Sequence, residues 1–101
     1  MRVVVFFDLP VETSAEKRAY RLFRKFLIKN GFIMVQNSVY SKLALNSTVA
    51  DLIMNKVRQN KPPSGIVQML SITEKQYSRM EYVIGDKKTT VIDTDERLIV
   101  L

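Results

Sequence analysis

One carboxylate of this chain, Asp8, has a position that suits catalysis or metal binding. Asp8 follows the five apolar residues 3–7 and precedes Leu9-Pro10. An apolar run rich in Val and Phe is typical of a buried strand, and a residue before proline favours extended or turn backbone. We therefore expect Asp8 at the carboxyl end of a core strand, where open α/β sheets commonly place functional groups. Taken alone, an aspartate before such a bend is more typical of a turn residue.

A single Asp8 side chain would make a poor magnesium site, because Mg²⁺ prefers octahedral oxygen coordination with one or two carboxylates and several waters. Two copies of the chain, related by a two-fold axis near the strand ends, would bring two Asp8 carboxylates together. Such a pair could share one Mg²⁺, whose bound water is a nucleophile for a phosphodiester. The chain contains no histidine and no cysteine, so an imidazole base and a thiolate metal site are excluded.

A second candidate surface is basic. Between residues 17 and 61, ten Lys and Arg residues and one acid leave a charge of +9, whereas the other six basic and nine acidic residues leave −3. This asymmetry favours a face that meets a polyanion; the alternative is a solvated helix surface. The candidate nucleic-acid-binding residues are Lys17, Arg18, Arg21, Arg24 and Lys25, together with Ser38 as a hydrogen-bond donor to phosphate.

The basic residues belong to a well-marked first helix. Thr13 and Glu16 have the spacing of a capping box, and Gly31 stands where a glycine ends a helix. Between them an apolar stripe at spacings of three and four predicts the buried side: Ala15, Ala19, Leu22, Phe23, Phe26 and Leu27.

The segments after the first helix are predicted to be strands and helices in turn. We expect strands at 32–36 and 39–43, or one strand with a bulge at Asn37-Ser38, and a strand at 66–72. A second helix is predicted from about residue 46 to 60, with Thr48 and Asp51 as a weaker capping box and Val49, Leu52, Ile53 and Val57 inward. A short helical turn then begins at Thr73, with Tyr77, Met80 and Val83 inward.

The order β-α-β-β-α-β predicts an α+β, ferredoxin-like antiparallel sheet with both helices on one face. We assign it to residues 1–85, and we assign residues 86–101 to a C-terminal β extension. Both faces of the first strand are apolar, and an apolar sheet face is not left in water. We therefore expect a two-fold homodimer through the sheet faces, with the extension pairing with the partner's sheet edge.

The composition is that of one globular domain. The chain has 101 residues, of which 47% are hydrophobic and 26% charged. No apolar stretch reaches the roughly 18 residues of a membrane span, and no disulfide framework is possible without cysteine. We expect a cytoplasmic protein without a membrane partner.

The ordered motifs resemble the CRISPR-associated protein 2 family, in the versions from type II systems. They are Phe6-Phe7-Asp8-Leu9-Pro10, the basic helix from Lys17-Arg18 to Arg24-Lys25-Phe26-Leu27, Gly31-Phe32, Gln36-Asn37-Ser38-Val39-Tyr40, Ser71 to Tyr77 and Met80 to Gly85. The resemblance implies a ferredoxin-like homodimer that acts in spacer acquisition, bridges CRISPR-associated integrase subunits and binds double-stranded foreign DNA.

The resemblance also implies a magnesium-dependent endonuclease acting on RNA or DNA, with Asp8 as metal ligand and catalytic residue. The role in integration need not be catalytic. The family often has tyrosine before this aspartate, where this chain has Phe7.

Other functions remain open at this point. One is a stand-alone metal-dependent ribonuclease, and another is a ferredoxin-like RNA-binding module, which would need several aromatic side chains on the open sheet face. A small regulatory dimer that binds a metabolite is disfavoured by the charge of the central segment.

Overall fold

The computed structural model describes residues 1–85, which confirm the expected α+β fold. The elements are β1(Arg2–Asp8), α1(Ser14–Lys29), β2(Ile33–Gln36), β3(Val39–Leu43), α2(Ser47–Gln59), β4(Ile66–Ile72) and the short α3(Glu74–Ser78). The four strands form one antiparallel sheet in the order β2-β3-β1-β4. The predicted extension, residues 86–101, lies outside the described residues.

β1 is a central strand with two different faces. Its alternate residues Val3, Val5 and Phe7 belong to the buried core that the helices cover. Because successive side chains of a strand point to opposite faces, Val4, Phe6 and Asp8 lie on the other face, which we call the open face. Asp8 thus shares the open face with apolar side chains.

The open face carries exposed apolar side chains on β2, β3 and β4. Cross-strand partners share a face, and the register places Ile33, Leu43 and Leu70 in the same rows as Val4 and Arg2. Ile33, Leu43, Ile66 and Leu70 are all more than 40% exposed. An apolar patch of this extent is typical of an interaction surface.

The core on the helix side is built around Phe7. Its ring packs edge-on against Phe23 and Tyr20 and stacks on Tyr40, with centroids 5.2, 6.0 and 5.7 Å away. Leu27 of α1 is fully buried in the same core. Aromatic pairs at these distances contribute beyond the area that they bury, so the residue before Asp8 is firmly fixed.

Both long helices begin at a side-chain cap. Thr13 and Glu16 form the predicted capping box of α1, and Gly31 follows the helix with a left-handed φ of 89°. The cap of α2 differs from the prediction, because Asn46 and not Thr48 accepts the hydrogen bond from the Val49 amide. Asn is among the strongest N-cap residues, so the helix begins before Thr48.

Several side chains predicted to point inward are exposed. Leu22 of α1 is 53% exposed, Leu52 of α2 is 66% exposed, and Val83 is 93% exposed. The buried stripes are narrower than the apolar pattern, with Phe23 and Leu27 buried on α1 and Ala50 and Val57 buried on α2. Within residues 1–85, none of the helices has both the length and the hydropathy that a membrane crossing requires.

Candidate functional site

Asp8 is the last residue of β1, the strand that lies between β3 and β4 in the sheet. On one side its Cα pairs with Ile66, at the start of β4. On the other side the amide of Phe7 donates to the Ser38 carbonyl over 3.0 Å, in the turn between β2 and β3. The tip is therefore part of the sheet, and the Asp8 side chain itself is exposed to solvent.

Both segments beside the tip have a residue in the left-handed region. Ser38 has φ 66° and Gly65 has φ 96°. The bulge proposed as one alternative for Asn37-Ser38 is thus a turn between two separate strands, and the register shift lies further back, between Met34 and Gln36. This turn brings Ser38, the predicted hydrogen-bond donor to phosphate, to the Asp8 end of β1.

Asp8 has no ion-pair partner in the part of the chain that the structure describes. The ion pair found within residues 1–85 joins Arg2 to Glu74 and does not involve Asp8. Over the same residues, no three acidic, histidine or cysteine side chains are grouped closely enough to hold a metal ion. Within the described residues, Asp8 is thus an exposed carboxylate on the open face that belongs to no cluster of metal-binding side chains.

The predicted basic residues all lie on α1, but the structure divides them. Lys17, Arg21 and Lys25 are spaced four residues apart, and all are exposed. Side chains at this spacing lie on one side of a helix, with a rise of about 6 Å between them. Lys29 continues the same line. We call these four residues the basic row.

Arg18 lies on a different side of α1. It lines a groove of about 500 Å³ with Leu22 and Phe26 on the helix and residues 60–63 opposite. Its neighbours there are mostly apolar, so Arg18 is not part of the basic row.

Arg24 has a partner within the fold. Its Nε donates to the Tyr40 hydroxyl over 2.8 Å, and Tyr40 is 1% exposed. A buried hydroxyl without a partner would be costly, so this bond stabilises the core, while Arg24 as a residue remains exposed. Sequence reasoning had no signal for this contact, because the two residues lie 16 positions apart on different elements.

The amino end of β1 carries a cluster that sequence reasoning missed. The Arg2 guanidinium donates to both Glu74 oxygens, at 2.6 and 2.9 Å, and to the buried Ser41 hydroxyl at 3.2 Å. It also lies 4.3 Å from the centre of the Tyr77 ring. The hydrogen bond from Arg2 lowers the pKa of Glu74, and the same bond raises the pKa of Arg2.

Comparison with known proteins gives consistent matches. The model of the family described as "CRISPR associated protein Cas2" matches residues 1–80. The chain is similar to three curated proteins, each called "CRISPR-associated endoribonuclease Cas2". The protein from Treponema denticola is 58% identical, and the match covers all of both chains. The protein from Ligilactobacillus salivarius is 46% identical over all of both chains. The protein from Streptococcus mutans is 45% identical over all of this chain and 93% of its own.

A solved structure supports the same fold. The crystal structure of Streptococcus pyogenes Cas2 at pH 6.5 aligns with a TM-score of 0.61 at 24% identity, over 84% of this chain and all of that one. At this identity the structural likeness speaks for the fold.

Proposed function

The chain belongs to the CRISPR-associated Cas2 family, and from this premise we propose that it is a nucleic-acid-binding subunit of CRISPR spacer acquisition with a magnesium-dependent endonuclease site. The observation that carries the proposal is the placement of Asp8, an exposed carboxylate at the tip of a central strand, on the apolar open face. The basic row on α1 supports the nucleic-acid part.

The active unit in this proposal is a homodimer formed through the two open faces. Leu43 and Leu70 are 59% and 41% exposed on this face, and burial of such side chains stabilises an interface by about 25 cal/mol per Å² of apolar surface. A two-fold axis repeats each surface. Since Asp8 lies on the same face, its copy in the partner approaches the same interface.

The residues present fit a shared magnesium ion. A hard cation that keeps several waters needs only one or two carboxylates from protein, and two Asp8 side chains supply that number. When bound, Mg²⁺ supplies a Lewis acid and an activated water for phosphodiester hydrolysis. The chain's own contribution is a carboxylate held on a rigid strand, while Ser38 lies at the same end to donate a hydrogen bond to phosphate.

The basic row provides a surface for the nucleic-acid backbone. Regularly spaced Lys and Arg side chains replace counterions along a polyanion without reading its sequence. In a dimer the row occurs twice, which fits a subunit that binds double-stranded DNA and bridges integrase subunits. We include Lys17, Arg21 and Lys25 in this surface. Arg18 and Arg24 stay predicted phosphate contacts outside the basic row, and Arg24 also donates from its Nε to Tyr40.

RNA is the second candidate for the cleaved substrate. The curated relatives are named endoribonucleases, and a metal-activated water can act on either nucleic acid. A sheet that binds RNA by stacking is disfavoured, because Phe6 is the one aromatic side chain that the described strands place on the open face.

Replacement of Asp8 by Asn tests the metal site directly. Asp8→Asn keeps the shape of the side chain and removes its charge, so Mg²⁺-dependent cleavage of RNA and DNA should fall by about 100-fold or more, whereas binding to duplex DNA should stay within about twofold. The matched control is Asp51→Asn, an exposed aspartate on α2, which should cleave like the unchanged protein. Full metal-dependent cleavage by Asp8→Asn would refute the proposed site.

A double variant in the basic row tests the nucleic-acid-binding surface. Arg21→Gln with Lys25→Gln should weaken duplex binding and reduce the slope of log K against log salt by about two, one for each lost phosphate contact. Lys75→Gln with Arg79→Gln removes the same charge outside the basic row and should leave the slope unchanged. Equal slopes for the two double variants would contradict a binding role of the basic row, because they would show that DNA binding depends only on the net charge of the protein.

A further inference from the structure

We propose that Gly65 is a positioning residue for the Asp8 carboxylate, an inference that rests on the proposed metal site. Gly65 directly precedes β4, and its neighbour Ile66 is the residue that pairs with Asp8. Gly65 has no side chain, so its role follows from the close approach of its Cα to the carboxyl end of β1.

The approach leaves no room for a methyl group. A Cβ added to Gly65 would lie 2.8 Å from the Asp8 carbonyl oxygen, 3.1 Å from the Leu9 Cα and 2.7 Å from the Leu9 Cδ2. The Leu9 side chain could turn aside, but the first two atoms belong to the backbone. A larger residue at position 65 must therefore push the backbone of residue 65 and that of Asp8-Leu9 apart, which disturbs the strand end that holds the Asp8 side chain.

Asp8 is held from both sides by this arrangement. The turn at Ser38 fixes the Phe7 amide on the β3 side, and Gly65 contacts the next peptide on the β4 side. A metal site tolerates displacements of only about 0.5 Å in its ligands, and a misplacement near 1 Å reduces catalysis by about 100-fold. The close contact at Gly65 thus sets the distance between the two Asp8 carboxylates across the proposed interface.

Two other glycines provide matched controls. Gly31 and Gly85 have φ of 89° and 93°, close to the 96° of Gly65, so alanine meets the same backbone strain at all three positions. Among residues 1–85, a Cβ on Gly31 would meet only the flexible Lys42 side chain, at 3.3 Å or more, and one on Gly85 would meet nothing within 4 Å. Only the change at position 65 adds a collision with the Asp8 backbone.

The experiment compares Gly65→Ala, Gly31→Ala and Gly85→Ala in the full chain. Thermal unfolding records the shared strain, and Mn²⁺ binding followed by electron paramagnetic resonance reports the metal site without requiring turnover. We expect Gly65→Ala to weaken Mn²⁺ binding and to raise the Mg²⁺ concentration for half-maximal cleavage, each by about tenfold. The two control variants should stay within about twofold of the unchanged protein.

A variant in the Asp8→Asn background separates positioning from general damage. If Gly65 acts through Asp8, adding Gly65→Ala to Asp8→Asn should lower the unfolding temperature but leave residual cleavage and Mn²⁺ binding unchanged, because coupled sites are not additive. Equal Mn²⁺ affinity of Gly65→Ala and Gly31→Ala would overturn the role of Gly65. Unchanged Mn²⁺ binding by Asp8→Asn would instead overturn the metal site itself.

Discussion

The two ends of β1 carry opposite charges in opposite surroundings. At the amino end, Arg2 donates to Glu74 and Ser41 and lies over the Tyr77 ring. At the carboxyl end, Asp8 is exposed and takes no part in the ion pair found within residues 1–85. The same strand thus places one charge that the fold satisfies and one that the described fold leaves to solvent.

This difference separates structural charge from available charge. A side chain with internal partners must lose them before it can bind anything else, and that loss opposes binding. Asp8 is fixed instead through its backbone and through the packing of Phe7, so its carboxylate is positioned without being occupied. Stability should therefore depend on Arg2 and Phe7, and activity on Asp8.

The largest effect on stability should come from the residue that fixes the Asp8 end. Phe7→Ala removes a 5%-exposed ring with three aromatic neighbours and should lower the free energy of unfolding by about 3–5 kcal/mol. Leu45→Ala is the control, because Leu45 is 88% exposed; it should change stability by less than about 0.5 kcal/mol. Denaturant unfolding measures both, and similar losses would contradict a carboxyl end held by packing.

A smaller loss is expected at the amino end. Arg2→Ala leaves the buried Ser41 hydroxyl without its donor and removes the contact with Tyr77, so the free energy of unfolding should fall by about 1–2 kcal/mol. The half-exposed Glu74 adds little to this figure, because solvent screens the ion pair. Asp8→Ala should stay within about 0.5 kcal/mol. A larger loss for Asp8→Ala than for Arg2→Ala would reverse the comparison.

The smallest effect is a dependence on pH. The hydrogen bond from Arg2 lowers the pKa of Glu74, and a carboxyl group with a lowered pKa stabilises the fold at higher pH. That contribution is present above about pH 4.3, the ordinary value for glutamate, and is lost as the pH falls further. Glu74→Gln should therefore flatten the decline of the unfolding temperature below this pH. In an Arg2→Gln background the same change should have no such effect.

Local signals in the sequence predicted most of the fold. The capping box at Thr13 and Glu16 marks the start of α1 by contacts within one turn, and alternation along residues 66–72 gives the two faces of β4. The errors also have local causes. Asn46 competes with Thr48 as the cap of α2. The apolar stripe of each helix is wider than the part that the core buries, so Leu22 and Leu52 remain exposed.

The candidate site was predictable only where it follows from the end of a strand. Asp8 could be found because an apolar run stops there. The partners of Arg2 and Arg24 lie on other elements, 72 residues away for Glu74 and 16 for Tyr40, and no spacing rule links them. For the same reason neither the hydrogen bond of Arg24 to Tyr40 nor the close approach of Gly65 to Asp8 could be predicted from the sequence.

The position of β1 in the sheet has a consequence for biosynthesis. Val4 pairs with Ser41 on one side and with Leu70 on the other, so the earliest of the four described strands is fully paired only after the latest of them has been synthesised. Contacts between distant residues slow folding, because a long loop must close before they stabilise anything. Until then an apolar segment with two unpaired edges is exposed to other nascent chains. Yield in cells should therefore rise with chaperone supply and with slower expression at low temperature.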